Sequence, residues 1–203
     1  MYSTVKPYEY LTIKGNLMKN TMLIAAMAAA FIAGPALAGT VTGAYDTEAT
    51  THTVPSREQT VNLNVTDQVF GPVGYVANLE TNQGAGTGQV YNMISGGVNF
   101  TQKFGPVTVV PQLSYGEHFA SRNDFNFYGV EVNAVSKTPV TNVDVVGGIR
   151  YQNTFNPSRY ENTRYEAGLQ YDINTRYAVG VKYDRTSGYL PGDAVGAFVK
   201  VNF

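Results

Sequence analysis

The feature that most constrains this chain is an alternation of apolar with polar or small residues that recurs from residue 39 to residue 203. In the last such segment, Val199, Val201 and Phe203 alternate with Lys200 and Asn202. A period of two is typical of a β-strand with one apolar and one polar face. The sequence therefore predicts an all-β protein. The apolar stripes begin at Val41, Val61, Val73, Ile94, Val109, Tyr128, Val143, Tyr165, Tyr177 and Val195.

Short turn sequences separate these strands at regular intervals. Phe70-Gly71-Pro72, Phe104-Gly105-Pro106, Thr138-Pro139 and Ile173-Asn174-Thr175 recur every 33 to 35 residues. Gly, Pro and Asn favour tight turns, so each period is interpreted as two strands, one short turn and one longer loop. This predicts ten antiparallel strands of about ten residues, the length that crosses a bilayer at roughly 45° tilt. The alternation in the first hairpin is weak. The alternative is therefore a barrel of eight strands preceded by an N-terminal segment.

Charged residues within the strands lie on the face opposite the apolar stripe. In a transmembrane barrel the apolar stripe faces lipid and the opposite face lines the lumen. The basic and acidic residues of the last five strands are balanced, which predicts paired charges in a narrow interior. The predicted lumen-lining residues are Glu131, Asp144, Arg150, Arg164, Glu166, Asp172, Arg176, Lys182, Asp184 and Lys200, and Glu80 lies on the same face of an earlier strand.

The strands of a water-soluble sandwich would also have one apolar and one polar face. The positions of the aromatic residues favour an up-and-down membrane barrel instead. Amphipathic aromatics at both edges of an apolar zone are typical of membrane interfaces. The predicted bands comprise Tyr115, Tyr128, Tyr151, Tyr165 and Tyr183 at the loop ends of the strands, and Phe70, Phe100, Phe104, Tyr171, Tyr177 and Phe203 at the turn ends.

The N-terminal region predicts export from the cytoplasm. Residues 18–38 contain one lysine, an apolar run from Met22 to Ile32 and the sequence Ala36-Leu37-Ala38, which is typical of a secretory signal peptide cleaved after Ala38. The apolar run is too short for a transmembrane helix. Residues 1–17 precede the charged start of the signal, so we interpret them as a mis-assigned start without a structural role. The predicted mature chain is one barrel domain, residues 39–203.

The composition disfavours several functional classes. The chain has no Cys and two His, which excludes a disulfide scaffold and a thiol nucleophile and gives little basis for a metal site. A formal charge of -1 without a basic cluster argues against a nucleic-acid partner. No cofactor is predicted.

The signal sequence, the alternation of short turns with longer loops, and the terminal Phe203 after Val199 and Val201 together resemble the bacterial outer-membrane β-barrels. The resemblance covers residues 39–203 and is one of pattern, without a subfamily motif. The resemblance implies that the protein lies in the outer membrane of a Gram-negative bacterium and contacts the lipid and lipopolysaccharide there. It also implies that the barrel-assembly machinery inserts the protein. In that family the machinery reads a final strand that ends in an aromatic residue, a role that would fall on Val199, Val201 and Phe203.

The lumen pattern predicts a passive role, either a narrow nonspecific channel or a structural membrane protein. Nearly equal numbers of opposite charges predict weak charge discrimination by any pore. Small inward residues predict open space beside the charged side chains. These small residues are Gly74, Gly97, Gly129, Gly148, Gly168, Ala178, Gly180 and Gly196.

Two other functions remain as alternatives. Adhesion would act through outer loops near residues 51–59, 82–90, 117–124, 153–162 and 185–193, where Arg122, Arg159 and Arg185 are candidates for contact with lipopolysaccharide phosphates. A lipid-modifying hydrolase is less favoured. Its candidate residues are His118, Ser121, Asp124 and Glu131, which have suitable side chains for a nucleophile and base but form no specific motif.

Overall fold

The computed structural model describes residues 39–49, 57–83, 90–119, 124–155, 160–188 and 191–203. The predicted signal peptide, the predicted mis-assigned start and three loop residues, Ser121, Arg122 and Arg159, lie outside these ranges. Every regular secondary-structure element within these ranges is a β-strand. None of the described residues forms a helix that is long and apolar enough to cross a membrane.

The strands follow one another along the chain in eleven segments. Their bounds are β1 (Gly39–Ala49), β2 (Arg57–Phe70), β3 (Val73–Gln83), β4 (Val90–Phe100), β5 (Gln102–Phe104), β6 (Val107–Phe119), β7 (Phe125–Lys137), β8 (Val143–Thr154), β9 (Glu161–Asp172), β10 (Tyr177–Gly188) and β11 (Gly192–Asn202).

These strands form one closed antiparallel barrel. Apart from β4 and β5, which both pair with β6, successive strands pair with each other, and β1 also pairs with β11. β4 and β5 are separated only by Thr101 and pair with β6 in one continuous register, from Asn92↔Phe119 to Phe104↔Val107. They therefore act as one barrel strand, and the described strands make a ring of ten without an open edge. The prediction of a ten-stranded up-and-down barrel is confirmed.

All four short turns lie at one end of the barrel, which we call the turn end; the opposite end is the loop end. Gly71 and Gly105 adopt φ angles of 57° and 60° in two of these turns, a left-handed conformation that glycine tolerates best. Gly39 and Phe203 also lie at the turn end, where the Phe203 N–H donates to the Gly39 carbonyl oxygen at 3.0 Å. This bond extends the pairing of β1 with β11.

Apolar side chains cover the outer wall of the barrel. Val195 is 64% exposed, Val181 58%, and Ile149 and Leu169 52% each. A continuous apolar surface of this kind is unfavourable in water, whereas in a bilayer it faces lipid. The predicted partition of faces is confirmed at these positions.

The predicted aromatic bands are exposed at both ends of the outer wall. At the loop end Tyr115 and Tyr183 are 54% and 45% exposed, and at the turn end Phe70 and Phe104 are 83% and 60% exposed. The Tyr183 hydroxyl donates to Asp193 at 2.7 Å. A ring in lipid with a hydroxyl bonded to a polar group is the arrangement expected at a membrane interface.

Candidate functional site in the barrel lumen

Charged side chains from β1, β9 and β10 meet in the middle of the lumen. Arg164 contacts Asp184 at 2.6 Å and Asp46 at 3.0 Å. Lys182 lies 3.3 Å from Asp184, 3.4 Å from Asp46 and 3.0 Å from Glu166. The side chains of Asp46 and Asp184 are 0% and 2% exposed, so their charges depend on these partners for stabilisation. We call these five residues the central ion network.

A further ion pair crosses the lumen beside this network. Arg150 of β8 contacts Glu80 of β3 at 3.3 Å, and the Asn62 side-chain amide donates to the same Glu80 oxygen at 3.3 Å. β3 and β8 are four places apart in the ring of ten barrel strands, so the pair joins nearly opposite walls. The pair and the central ion network thus both lie across the lumen.

Glycines on the inner wall make room for these side chains. The Asp46 carboxylate lies over Gly196, where an added Cβ would overlap it, and the Phe198 ring lies over Gly180 in the same way. Lys182 packs against the position that a Cβ of Gly168 would take. The open space that small inward residues were predicted to leave is therefore occupied at these positions by neighbouring side chains.

The ion pairs separate two cavities of different size. A cavity of about 280 Å³, which we call the inner vestibule, extends from Arg150 and Arg164 toward the turn end. A cavity of about 50 Å³ lies on the loop side, and Arg150, Gln152 and Arg164 line both. The vestibule wall contributed by β1 to β6 is uncharged and rich in Thr, Asn and Gln, whereas the wall from β7 to β11 carries the charges.

Aromatic rings narrow the lumen at the loop end. His118 stacks on Phe125 with ring centroids 4.4 Å apart and planes 10° apart, and the Tyr160 ring lies 4.8 Å from Phe125. The Tyr160 hydroxyl lies 3.6 Å from the Met93 sulfur, and Phe127 is 1% exposed beneath them. We call these five residues the aromatic cap.

The aromatic cap gives His118 a packing role and separates it from one candidate partner. His118 pairs in register with Phe125, and Glu131 lies six residues further along β7, which corresponds to about 20 Å at 3.3 Å per residue. Asp124 is exposed just before β7 and lies close enough to His118 to interact with it electrostatically. The described residues therefore bring His118 close to aromatic rings and leave Glu131 far from it, while Ser121 lies outside them.

The other predicted lumen residues occupy two places. Lys137 contacts Asp144 at 2.7 Å and Asp172 at 3.1 Å near the turn end, and Lys200 lines the vestibule nearby. Arg176 lies in the turn between β9 and β10 and is exposed, so it does not belong to the inner wall of a strand.

The sequence reasoning missed several lumen residues, among them Asp46, Lys137 and Phe198. Asp46 shares the inward parity of Thr40 and Thr42 on β1, but the pattern of that strand is weak. Lys137 continues the inward parity of Glu131 to the end of β7. Phe198 is an apolar residue on the polar face of β11, and only the contact with Gly180 explains it.

Comparisons with known proteins give structural similarity alone. No family model matches the chain, and no curated protein matches it. Similar solved structures include the β domain of the Bordetella autotransporter BrkA, with a TM-score of 0.49, 7% identity, and coverage of 83% of this chain and 99% of that chain. The KdgM porin has a TM-score of 0.48, 10% identity, and coverage of 81% and 99%. An anion-selective porin from Comamonas acidovorans has a TM-score of 0.41, 13% identity, and coverage of 83% and 57%.

The surface of the barrel itself indicates the environment. A closed antiparallel barrel satisfies every strand edge, and its apolar wall between aromatic bands matches the interior of a bilayer. Bacterial outer membranes are the setting of single-chain barrels of this architecture. The chain is an outer-membrane β-barrel, located in the bacterial outer membrane.

Proposed function

We propose that this protein is a narrow channel for small hydrophilic solutes. The observation that carries the proposal is the inner vestibule, a cavity of about 280 Å³ inside a transmembrane barrel, lined by both polar and charged side chains and by apolar ones. A purely structural barrel would be stabilised by filling that space, because close packing favours the folded state. The central ion network and the Arg150–Glu80 pair lie in the lumen, so an ion that crosses the barrel passes these side chains.

We also propose that the protein is not an enzyme. The support is the placement of His118, whose imidazole stacks on Phe125 far from Glu131, so that Asp124 is the candidate partner left near it among the described residues. General-base catalysis requires the base to lie within hydrogen-bond reach of its partner.

Contacts with lipopolysaccharide and with the assembly machinery stay predictions. Short turns of such barrels face the periplasm, so we expect the turn end there.

Single-channel recording tests the channel proposal. The protein would be purified from outer membranes of a porin-deficient host, shown to be folded by its heat-dependent gel mobility, and added to planar bilayers. We expect small discrete conductance steps from the wild type. Glu80→Gln should raise the conductance at least twofold, because a neutral side chain holds Arg150 across the lumen less strongly.

Glu161→Gln is the matched control, since the exposed Glu161 lies at the loop end and accepts a hydrogen bond from the Tyr151 hydroxyl at 3.2 Å. The same carboxylate-to-amide change there should leave the conductance unaltered. Folded wild type and folded Glu80→Gln protein that are both silent would refute the channel and favour a structural membrane protein.

A further inference from the structure

Two opposite charges in the inner vestibule lack a close ion-pair partner. Glu131 of β7 and Lys200 of β11 both line this cavity and are partly buried. Glu131 accepts a hydrogen bond from the Asn133 amide at 2.7 Å. Within the described residues, neither side chain has an oppositely charged group within 4.0 Å. Partly buried charges gain most from a partner that brings both charge and hydrogen bonds.

Other ion pairs explain why these two charges are left over. Arg150 lies directly opposite Glu131 in the register of β7 and β8, yet its guanidinium contacts Glu80 across the lumen. Near Lys200, the carboxylates of Asp144 and Asp172 both contact Lys137. Among the charged groups that line the vestibule, one carboxylate and one ammonium group are therefore left without an ion-pair partner within 4.0 Å in the described residues.

We infer that the inner vestibule binds a short zwitterionic peptide, with its free ammonium group at Glu131 and its free carboxylate at Lys200. This inference rests on the proposed channel function and names its substrate class. Charge-assisted hydrogen bonds at both ends would fix the orientation. The amides and hydroxyls of the uncharged wall, among them Asn64, Asn78 and Gln112, can both donate to and accept from a peptide bond.

The positions of the two charges favour a dipeptide over a single amino acid. β7 and β11 are four places apart in the ring of ten barrel strands, so Glu131 and Lys200 approach from nearly opposite walls. A single amino acid carries both charges on one carbon, whereas an extended dipeptide spans roughly 7 Å. The cavity of about 280 Å³ lies at the lower limit of small-molecule pockets, roughly 300 Å³, which excludes long peptides.

Isothermal titration calorimetry with glycylglycine on the full barrel in detergent tests the inference. The buffer should be of low ionic strength because salt screens exposed charges. We expect glycylglycine to bind the wild type at least tenfold more tightly than N-acetyl-glycylglycine, which lacks the ammonium group, or glycylglycinamide, which lacks the carboxylate. Glycine should also bind at least tenfold more weakly.

The variants assign each end of the ligand. Glu131→Gln should abolish the preference for glycylglycine over its N-acetyl form, while the preference over the amide remains. Lys200→Gln should do the reverse, and Glu161→Gln, outside the lumen, should change neither preference. A structural defect would weaken all ligands together and would not exchange the two preferences.

The peptide-binding proposal and the channel proposal can fail independently, because calorimetry measures binding and does not depend on conduction. Absence of glycylglycine binding at millimolar concentration, or equal binding of all three peptides to the wild type, would overturn the zwitterion site even if the protein conducts. Specific binding by a protein that never conducts would support the site and refute the channel.

Discussion

The position of Asp46 in the central ion network depends on residue 196 being a glycine. The carboxylate lies where a Cβ of residue 196 would be placed, and Asp46 is also bonded to Arg164. Gly196→Ala would displace Asp46 from a buried ion pair. We expect a loss of about 1–3 kcal/mol in the free energy of unfolding, as for other overpacked sites. Urea unfolding of the barrel in lipid vesicles, followed by tyrosine fluorescence, measures the change.

Gly43→Ala is the matched control for this substitution. Gly43 also lies mid-strand, and a Cβ added there meets no atom within 4 Å among the described residues. This change should be neutral or stabilise by up to about 1 kcal/mol, because alanine restricts the unfolded chain. Equal effects at the two glycines would show that Asp46 is not held against Gly196.

Parity along a strand predicts which way a residue faces but not what it contacts. For this reason the inward positions of Arg150, Arg164 and Lys182 could be predicted from the sequence. Their partners could not, because Glu80 and Asp46 reach them from strands far apart in the chain. Contacts across a lumen depend on barrel closure and strand stagger, which alternation alone does not specify.

Of the two strands that close the barrel, β1 and β11, the first has the least local support from the sequence. β1 has the weakest alternation, yet it is hydrogen-bonded to β2 on one side and β11 on the other. Tertiary pairing outweighs a weak local preference, as is common for strands. Hence the strand count could be predicted mainly from the turn spacing, and the pairing of β1 with β11 excludes the eight-stranded alternative.

Phe203 lies at this closure, and its removal tests how the barrel assembles. Deleting Phe203 removes its N–H bond to Gly39 and an exposed ring of the turn-end aromatic band. From the resemblance to other outer-membrane barrels, we expect at least a fivefold fall in folded protein in the outer membrane, with export unchanged. Heat-dependent gel mobility of membrane and periplasmic fractions measures both quantities.

Phe203→Tyr is the control, since it keeps the aromatic ring and the backbone donor. Refolding of the deletion variant into lipid vesicles separates two causes of a defect. Normal refolding in vesicles with failed assembly in cells would locate the role in recognition by the machinery. Normal assembly in cells would contradict the assembly-signal prediction.

At the scale of the whole molecule, the lumen is asymmetric along its axis. The loop end is narrowed by the aromatic cap, the middle is crossed by ion pairs, and the larger cavity lies toward the turn end. A solute that enters the vestibule from the turn end meets a wall of polar, charged and small residues, and on its way to the loop end it passes the ion pairs and then the aromatic cap. A permeating ion therefore meets the charged side chains in the middle of the lumen on its path.

The middle of the lumen also sets the ion preference of an open pore. Its carboxylates are Asp46, Glu80, Glu131, Glu166 and Asp184, and its basic groups are Arg150, Arg164 and Lys182. Fixed charges at a constriction select ions of opposite sign, so the surplus of carboxylates predicts that K⁺ permeates more readily than Cl⁻. This differs from the weak discrimination expected from the last five strands, because Asp46 and Glu80 come from earlier strands.

The reversal potential in a KCl gradient measures this preference. We expect a K⁺/Cl⁻ permeability ratio above one near 0.1 M salt that decreases near 1 M, as the screening length shortens from about 10 Å to about 3 Å. Glu131→Gln combined with Glu166→Gln removes the surplus carboxylates and should bring the ratio close to one. Glu161→Gln, outside the lumen, should leave it unchanged. A preference for Cl⁻ in the wild type would show that Lys200 and the basic groups facing the vestibule dominate the field along the path.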